Sequence, residues 1–184
     1  MISEKIQLNK TAYLETYLLN NSQEYNVGKK RPFVLVIPGG GYAFTSDREA
    51  EPIALKFNSI GFNSGVLWYT VMDQVTNVPH NALIEGAMAI KYIREHGEEW
   101  LIDTDNIIVC GFSAGGHLAS LLSTHFDIDE KIGVIYPEKA YKSRPDFTIL
   151  CYPVITMREP YTHIGTKENL LGADPSDVLI DLCS

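Results

Sequence analysis

Apolar runs of strand type that alternate with helix-type patterns along 184 residues predict an α/β protein, a three-layer α/β/α sandwich around a mostly parallel sheet. The run at residues 33–37, FVLVI, is apolar at every position, as a strand covered by helices on both faces must be. Two glycine clusters, at 39–41 and 111–116, each directly follow such a run, where a parallel sheet places its ligands. The chain reads as one domain over residues 1–184.

The elements follow in order. Residues 5–8 and 12–19 alternate well enough for an N-terminal hairpin with Asn9-Lys10 as its turn, and the polar stretch 20–31, with Lys29, Lys30 and Arg31, reads as a solvated loop. After the 33–37 strand, a helix is expected at about 47–60. Ser46 with Glu49 three residues on suggests a capping box, and Gly61 stops the helix. Ala50, Ile53, Ala54, Phe57 and Ile60 make its apolar stripe, while Asp47, Glu49 and Glu51 suit a helix start for capping and dipole reasons. A strand at 62–69, a loop through 73–79 and a helix at 80–98 burying Leu83, Ala87, Ile90 and Ile93 come next. Asp103 and Asp105 read as turn residues before a strand at 107–110. A helix-forming run from His117, a polar excursion at 126–145 near the pocket mouth, and a buried strand at 147–151 complete the series. That last strand would lie at the sheet edge, so self-association through it is expected.

The chemistry lies in the glycine clusters. Gly111-Phe112-Ser113-Ala114-Gly115 has the strand, sharp turn and helix of a nucleophile elbow. A serine at so tight a turn is strained, and side chains two residues to either side would strike the neighbouring strand and helix, so glycine is needed there. The helix that starts after Ser113 turns free N–H groups toward any oxyanion formed at it. Ser113 is the candidate nucleophile. Upstream, Pro38-Gly39-Gly40-Gly41-Tyr42 follows its strand as a second source of N–H donors.

Four stretches, PGGGYAFTSDREAEPIALKFNSIGFNSGVLWYTV at 38–71, DTDNIIVCGFSAGGHLAS at 103–120, RPDFTILCYPVIT at 144–156 and HIGTKENLLGADPS at 163–176, resemble the esterase and lipase branch of the α/β-hydrolases. The likeness is closest to small bacterial acetyl-esterase-like and xylan-esterase-like hydrolases, although Pro38 stands where many relatives have histidine. The resemblance implies hydrolysis of small carboxylic esters, short-acyl and acetyl-like, through an acyl-enzyme on Ser113. Backbone N–H groups of Ala114 and of Gly40 or Gly41 would form the oxyanion hole, without cofactor or metal. Tyr42, beside that loop, either contacts substrate as an aromatic wall or packs under the loop.

In such hydrolases the acid and the histidine follow the serine, on loops beyond the LLGADPS segment. The resemblance therefore implies a C-terminally incomplete α/β-hydrolase fold with neither triad partner within it. The histidines after Ser113 do not replace them readily. His117 belongs to a packing helix surface, and His125 lies roughly 18 Å along the same helix. His163 could reach the pocket from a loop, but Asp174 and Asp177 follow rather than precede it. Two alternatives remain open: a non-catalytic remnant of such a hydrolase, and a serine peptidase of the prolyl-oligopeptidase type, although nothing before Phe33 could form that group's propeller.

With 45% apolar and 21% charged residues the chain can bury a substantial core, and a net charge of −8 argues against a nucleic-acid partner. The first residues show no apolar signal-peptide core, and no run approaches membrane-spanning length, so a cytoplasmic protein without a membrane partner is expected. Cys110, Cys151 and Cys183 have no metal-type spacing and read as reduced small hydrophobes, the first two ending buried strands.

Overall fold

The strand runs pair into one sheet of order β1-β2-β4-β3-β5-β6 in the computed structural model, which describes residues 1–72, 78–126 and 143–184. Strands β1 (Ile2–Gln7) and β2 (Tyr13–Leu18) form the antiparallel hairpin, and β2 joins β4 (Asn63–Trp68) antiparallel. At the hairpin turn, Asn9 Oδ1 accepts from the N–H of Thr11 and of Ala12 at 2.9 and 2.7 Å. From β4 onward, β3 (Arg31–Ile37), β5 (Ile102–Phe112) and β6 (Phe147–Cys151) run parallel, as the alternating pattern requires.

The helices are α1 (Glu51–Ser59), α2 (Val78–Glu95), α3 (Ala114–Thr124), α4 (Ile164–Leu171) and α5 (Asp177–Leu182). Strand β3 shows why there are three layers. Its Phe33, Leu35 and Ile37 enter one core with Leu83, Ile90 and Ile93 of α2 and Leu118 and Leu122 of α3. Val34 and Val36 point the other way, into a second core with Ala50 and Ala54. Each such large side chain removed from water contributes about 1.5–3 kcal/mol, so β3 is the axis on which both layers depend.

Several sequence expectations are corrected. No capping box forms at Ser46: α1 starts at Glu51 with Pro52 in its first turn, and Asp47–Glu49 is a short 3-10 turn. Ile60 falls outside the stripe, because the helix ends at Ser59 and Gly61 follows at φ +97°, leaving Ile60 62% exposed. Helix α2 begins at Val78, since Pro79 in a first turn loses no hydrogen bond. Strand β5 extends back to Ile102. Its register against β3 shifts between Arg31 and Phe33, and Asp103 folds over that irregularity to accept from Asn106 Nδ2 at 2.9 Å. Arg31 is a buried strand residue bonded to Asn21, whereas Lys30 pairs with Glu98 at the surface.

Strand β6 pairs with β5 alone among the described residues. It is not buried: Phe147, Ile149 and Leu150 are 56, 40 and 41% exposed, and Cys151 is half-buried. The loop expected at 73–79 lies mostly outside the described residues, as does nearly all of the excursion at 126–145.

Candidate active site

The elbow is built as its glycines dictate. Ser113 adopts φ +51°, ψ −115°, a left-handed conformation that a non-glycine residue holds only when its surroundings enforce it. Those surroundings are hydrogen bonds on either side. Ser113 N–H donates to Cys151 O at 3.0 Å, and Ser113 O accepts from Val154 N–H at 3.1 Å, so the chain leaving β6 brackets the serine. A Cβ on Gly111 would lie 2.3 Å from Gly115 O, and one on Gly115 would lie 2.1 Å from Ile37 O. Helix α3 therefore seats directly on the end of β3 and on the glycine loop that follows.

That loop turns through three successive positive φ values, +127° at Gly40, +62° at Gly41 and +58° at Tyr42. Its carbonyls are all occupied. Pro38 O accepts from Tyr69 Oη at 2.7 Å, Gly39 O from Ser46 N–H at 3.0 Å, and Gly40 O from Ala43 N–H at 3.0 Å. Gly41 O accepts from Asn169 Nδ2 at 2.8 Å, and Tyr42 O from Met72 N–H at 2.9 Å. The N–H groups of Gly40, Gly41 and Ala114 have no partner among the described residues. Donors without acceptors, beside a helix N-terminus, make a concavity suited to negative charge.

Glu49 carries a role that helix capping hid. Its Oε2 accepts from Gly39 N–H and its Oε1 from Tyr152 Oη, each at 2.8 Å. Its carboxylate, with the bond it accepts, raises the Tyr152 hydroxyl to about 12. Tyr152 sits at φ +36° immediately after β6 and stacks edge-on to Phe112, so one carboxylate ties the glycine loop to the segment that brackets Ser113.

Tyr42 is a core residue and not a wall of the site. It is 1% exposed, edge-on to Tyr69, and its hydroxyl meets His117 Nδ1 at 2.9 Å. His117 Nε2 in turn lies 2.8 Å from Cys183 O. A carbonyl can only accept, so Nε2 carries the proton and Nδ1 accepts from Tyr42. Burial lowers the His117 pKa to about 4, against the opposing pull of its bond to Cys183 O, so the ring is neutral. The structural role expected of His117 is thus a tie between the glycine loop, α3 and α5. Burial also raises the Tyr42 and Tyr69 hydroxyls well above their ordinary range.

Ser113, Gly40 and Gly41 line one open cavity of about 430 Å³ together with Phe44, Glu49, Tyr152, His163 and Asn169. The exposed aromatic rings there are Phe44 and Tyr152, at 58 and 66%. His163 reaches the cavity but is the N-cap of α4: its Nδ1 accepts from Thr166 N–H at 3.1 Å and meets Thr166 Oγ1 at 2.8 Å. In the neutral ring the proton is therefore on Nε2, which leaves no ring lone pair free to take a proton from serine. Among the described residues no base is hydrogen-bonded to Ser113 Oγ. Asp177, one of the aspartates beyond His163, is exposed and faces Arg158 at 3.9 Å. Sequence reasoning missed Glu49, Tyr152 and Asn169, which act through contacts 10 to 128 residues away along the chain.

No helix among the described residues is long and apolar enough to cross a membrane. The BD-FAE family model matches residues 16–177. Endo-1,4-beta-xylanase B of Butyrivibrio fibrisolvens is 39% identical over 155 residues, 83% of this chain and 24% of that protein. An acetylxylan esterase of Xylanibacter ruminicola is 30% identical over 142 residues, 77% of this chain and 26% of that protein. The chain thus spans about a quarter of the length of these two relatives. The crystal structure of an acetyl ester-xyloside bifunctional hydrolase from Caldicellulosiruptor lactoaceticus superposes with a TM-score of 0.81 at 37% identity, covering 98% of this chain and 68% of that one. With a family match over residues 16–177 and this structural likeness, the chain belongs to the BD-FAE family and has the α/β-hydrolase fold.

Proposed function

We propose that this chain carries the nucleophile and oxyanion-binding part of a serine hydrolase acting on carboxylic esters, with short, acetyl-like acyl groups preferred. The observation that carries this reading is the polarity of the cavity floor. A strained serine faces a loop whose carbonyls are all engaged and whose Gly40 and Gly41 N–H groups, like that of Ala114 beside them, have no partner among the described residues. Ser113 Oγ attacks the ester carbonyl carbon. The carbonyl oxygen takes the negative charge and is stabilised by these donors, roughly 3 kcal/mol each. Collapse expels the alkoxide, which takes up the proton that Ser113 Oγ gave up, and water then attacks the acyl-enzyme, releasing the acid and restoring the Ser113 hydroxyl.

The names of two relatives, an acetylxylan esterase and an acetyl ester-xyloside hydrolase, favour acetyl groups on a sugar as the substrate class. Phe44 and Tyr152 take over the wall role expected of Tyr42, as exposed rings against which a sugar can lie. Glycoside cleavage, suggested by the xylanase name, has less support. It needs two carboxylates flanking the bond, and Glu49 alone among the described lining residues is acidic.

A fluorophosphonate probe followed by peptide mapping tests the reading: covalent label is expected on Ser113 and lost in Ser113→Ala. Modification concentrated on another serine, with Ser113 bare, would sink the assignment. A second reading, ligand binding without turnover by these residues alone, has one observation in its favour, the lack of a base bonded to Ser113 Oγ among the described residues.

A further inference from the structure

We infer that Asn169 is a positioning residue of the glycine loop, keeping the Gly41 carbonyl turned out of the cavity and thereby keeping the loop a donor surface. This rests on the reading of Ser113 as an ester nucleophile. Four of the five loop carbonyls between Pro38 and Tyr42 are held by neighbouring backbone or by a buried tyrosine. The fifth, Gly41 O, is held among the described residues only by the Asn169 side chain, reaching across from α4 at 2.8 Å. The partner is a carbonyl, so the amide must present Nδ2, and its orientation is decided by chemistry.

Gly41 is also where the loop is least constrained. At φ +62° with only Thr166 Oγ1 and Asn169 Nδ2 within 4 Å of an added Cβ, it has neither a side chain nor close neighbours to stop its peptide from rotating. Rotation of the Gly41–Tyr42 peptide would exchange the directions of a C=O and an N–H. An oxygen lone pair aimed where an oxyanion forms would oppose the charge that the Gly40 and Gly41 N–H groups attract. Helix α4 is well placed to prevent this. Thr166 and Asn169 lie three residues apart on the face toward the loop, Thr166 is fully buried, and the His163 cap fixes the first turn.

The test compares wild type with Asn169→Leu, similar in volume without a donor, and Asn169→Asp, the same shape with an acceptor in place of the donor. Labelling of Ser113 by a fluorophosphonate is followed as a function of probe concentration. The maximal labelling rate is expected to fall about tenfold in Asn169→Leu and further in Asn169→Asp, with half-saturation unchanged. Amide exchange of the peptide spanning residues 39–44 should quicken in both, while the thermal midpoint moves by less than about 4 °C. Unchanged exchange and unchanged labelling would overturn the inference, as would a loss confined to half-saturation. Should wild type label elsewhere than Ser113 while exchange still quickens in the variants, the hydrolase reading fails and Asn169 merely holds the loop, which refutes its positioning role in ester chemistry.

Discussion

Lowering the pH should loosen the site through His117. The ring is wholly buried, donates from Nε2 to Cys183 O and accepts at Nδ1 from Tyr42, so a second proton would bury a charge and turn the Tyr42 hydroxyl from donor to acceptor at Nδ1. Its pKa falls from 6.5 to about 4 on folding, chiefly through loss of hydration. The sign follows directly. Above pH 6.5 the ring is neutral folded and unfolded, and the full stability is present. Between 6.5 and about 4 the unfolded chain binds the proton and the folded one does not, so stability falls by up to ~1.4 kcal/mol per pH unit. Over that window the loss totals about 3 kcal/mol, of which about 2 kcal/mol appears between pH 7 and 4.5. Against a usual total of about 5–15 kcal/mol this is large.

Urea unfolding followed by circular dichroism at pH 8, 7, 6, 5 and 4.5, for wild type and His117→Gln, isolates the effect. Glutamine can donate to Cys183 O and accept from Tyr42 without titrating, so carboxylates and exposed histidines contribute equally to both curves. The stability difference between the two proteins should shrink by about 2 kcal/mol from pH 7 to 4.5. Parallel curves would show that His117 is charged, or hydrated, in the folded state, and the tautomer assignment with its tie to Tyr42 would fall with it.

Other outcomes are expected of the chain. The 184-residue polypeptide should hydrolyse p-nitrophenyl acetate at least ~10⁴-fold more slowly than a hydrolase with a complete triad. Ordinary turnover abolished by Ser113→Ala would reveal a base within the chain, and turnover of His163→Ala would be measured next. Gly40→Ala should slow fluorophosphonate labelling of Ser113 by on the order of 10²-fold, since its Cβ would meet Phe44 O at 2.0 Å and its φ of +127° disfavours a side chain; labelling at the wild-type rate would remove the loop from the oxyanion site. The edge of β6, unpaired among the described residues and with Phe147, Ile149 and Leu150 exposed, should promote self-association detectable by light scattering over a concentration series and suppressed by Ile149→Lys. A monodisperse wild-type monomer at high concentration would show the edge to be covered.

The fold was legible wherever hydrophobic period and local stop signals agreed. Strand β3 announced its two-sided burial by being apolar throughout, and Asn9, Gly61 and the two glycine clusters marked turns that the backbone takes. The errors arose where one residue type serves two masters. Ser46 and Glu49 have capping-box spacing, but spacing cannot say that the Glu49 carboxylate is engaged instead by the Gly39 N–H and the Tyr152 hydroxyl. Strand β6 is as apolar as β3, yet its neighbours in space decide its burial, and sequence does not name them.

The site divides the same way. The turn at Ser113 and its flanking glycines was readable because the constraint is local: a turn too tight for a Cβ leaves its mark within five residues of sequence. Tyr42 was ambiguous for an equally local reason, since a residue at φ +58° beside a cavity can turn its ring inward or outward, and the choice belongs to a histidine 75 residues away. Asn169 carries no local signature at all. An asparagine in mid-helix ordinarily weakens the helix, and only the unclaimed carbonyl of Gly41 explains its place. What the glycine loop needs in order to present N–H groups is that every one of its carbonyls be occupied elsewhere. A search for the side chains that occupy them therefore reaches candidate positioning residues that motif reading cannot.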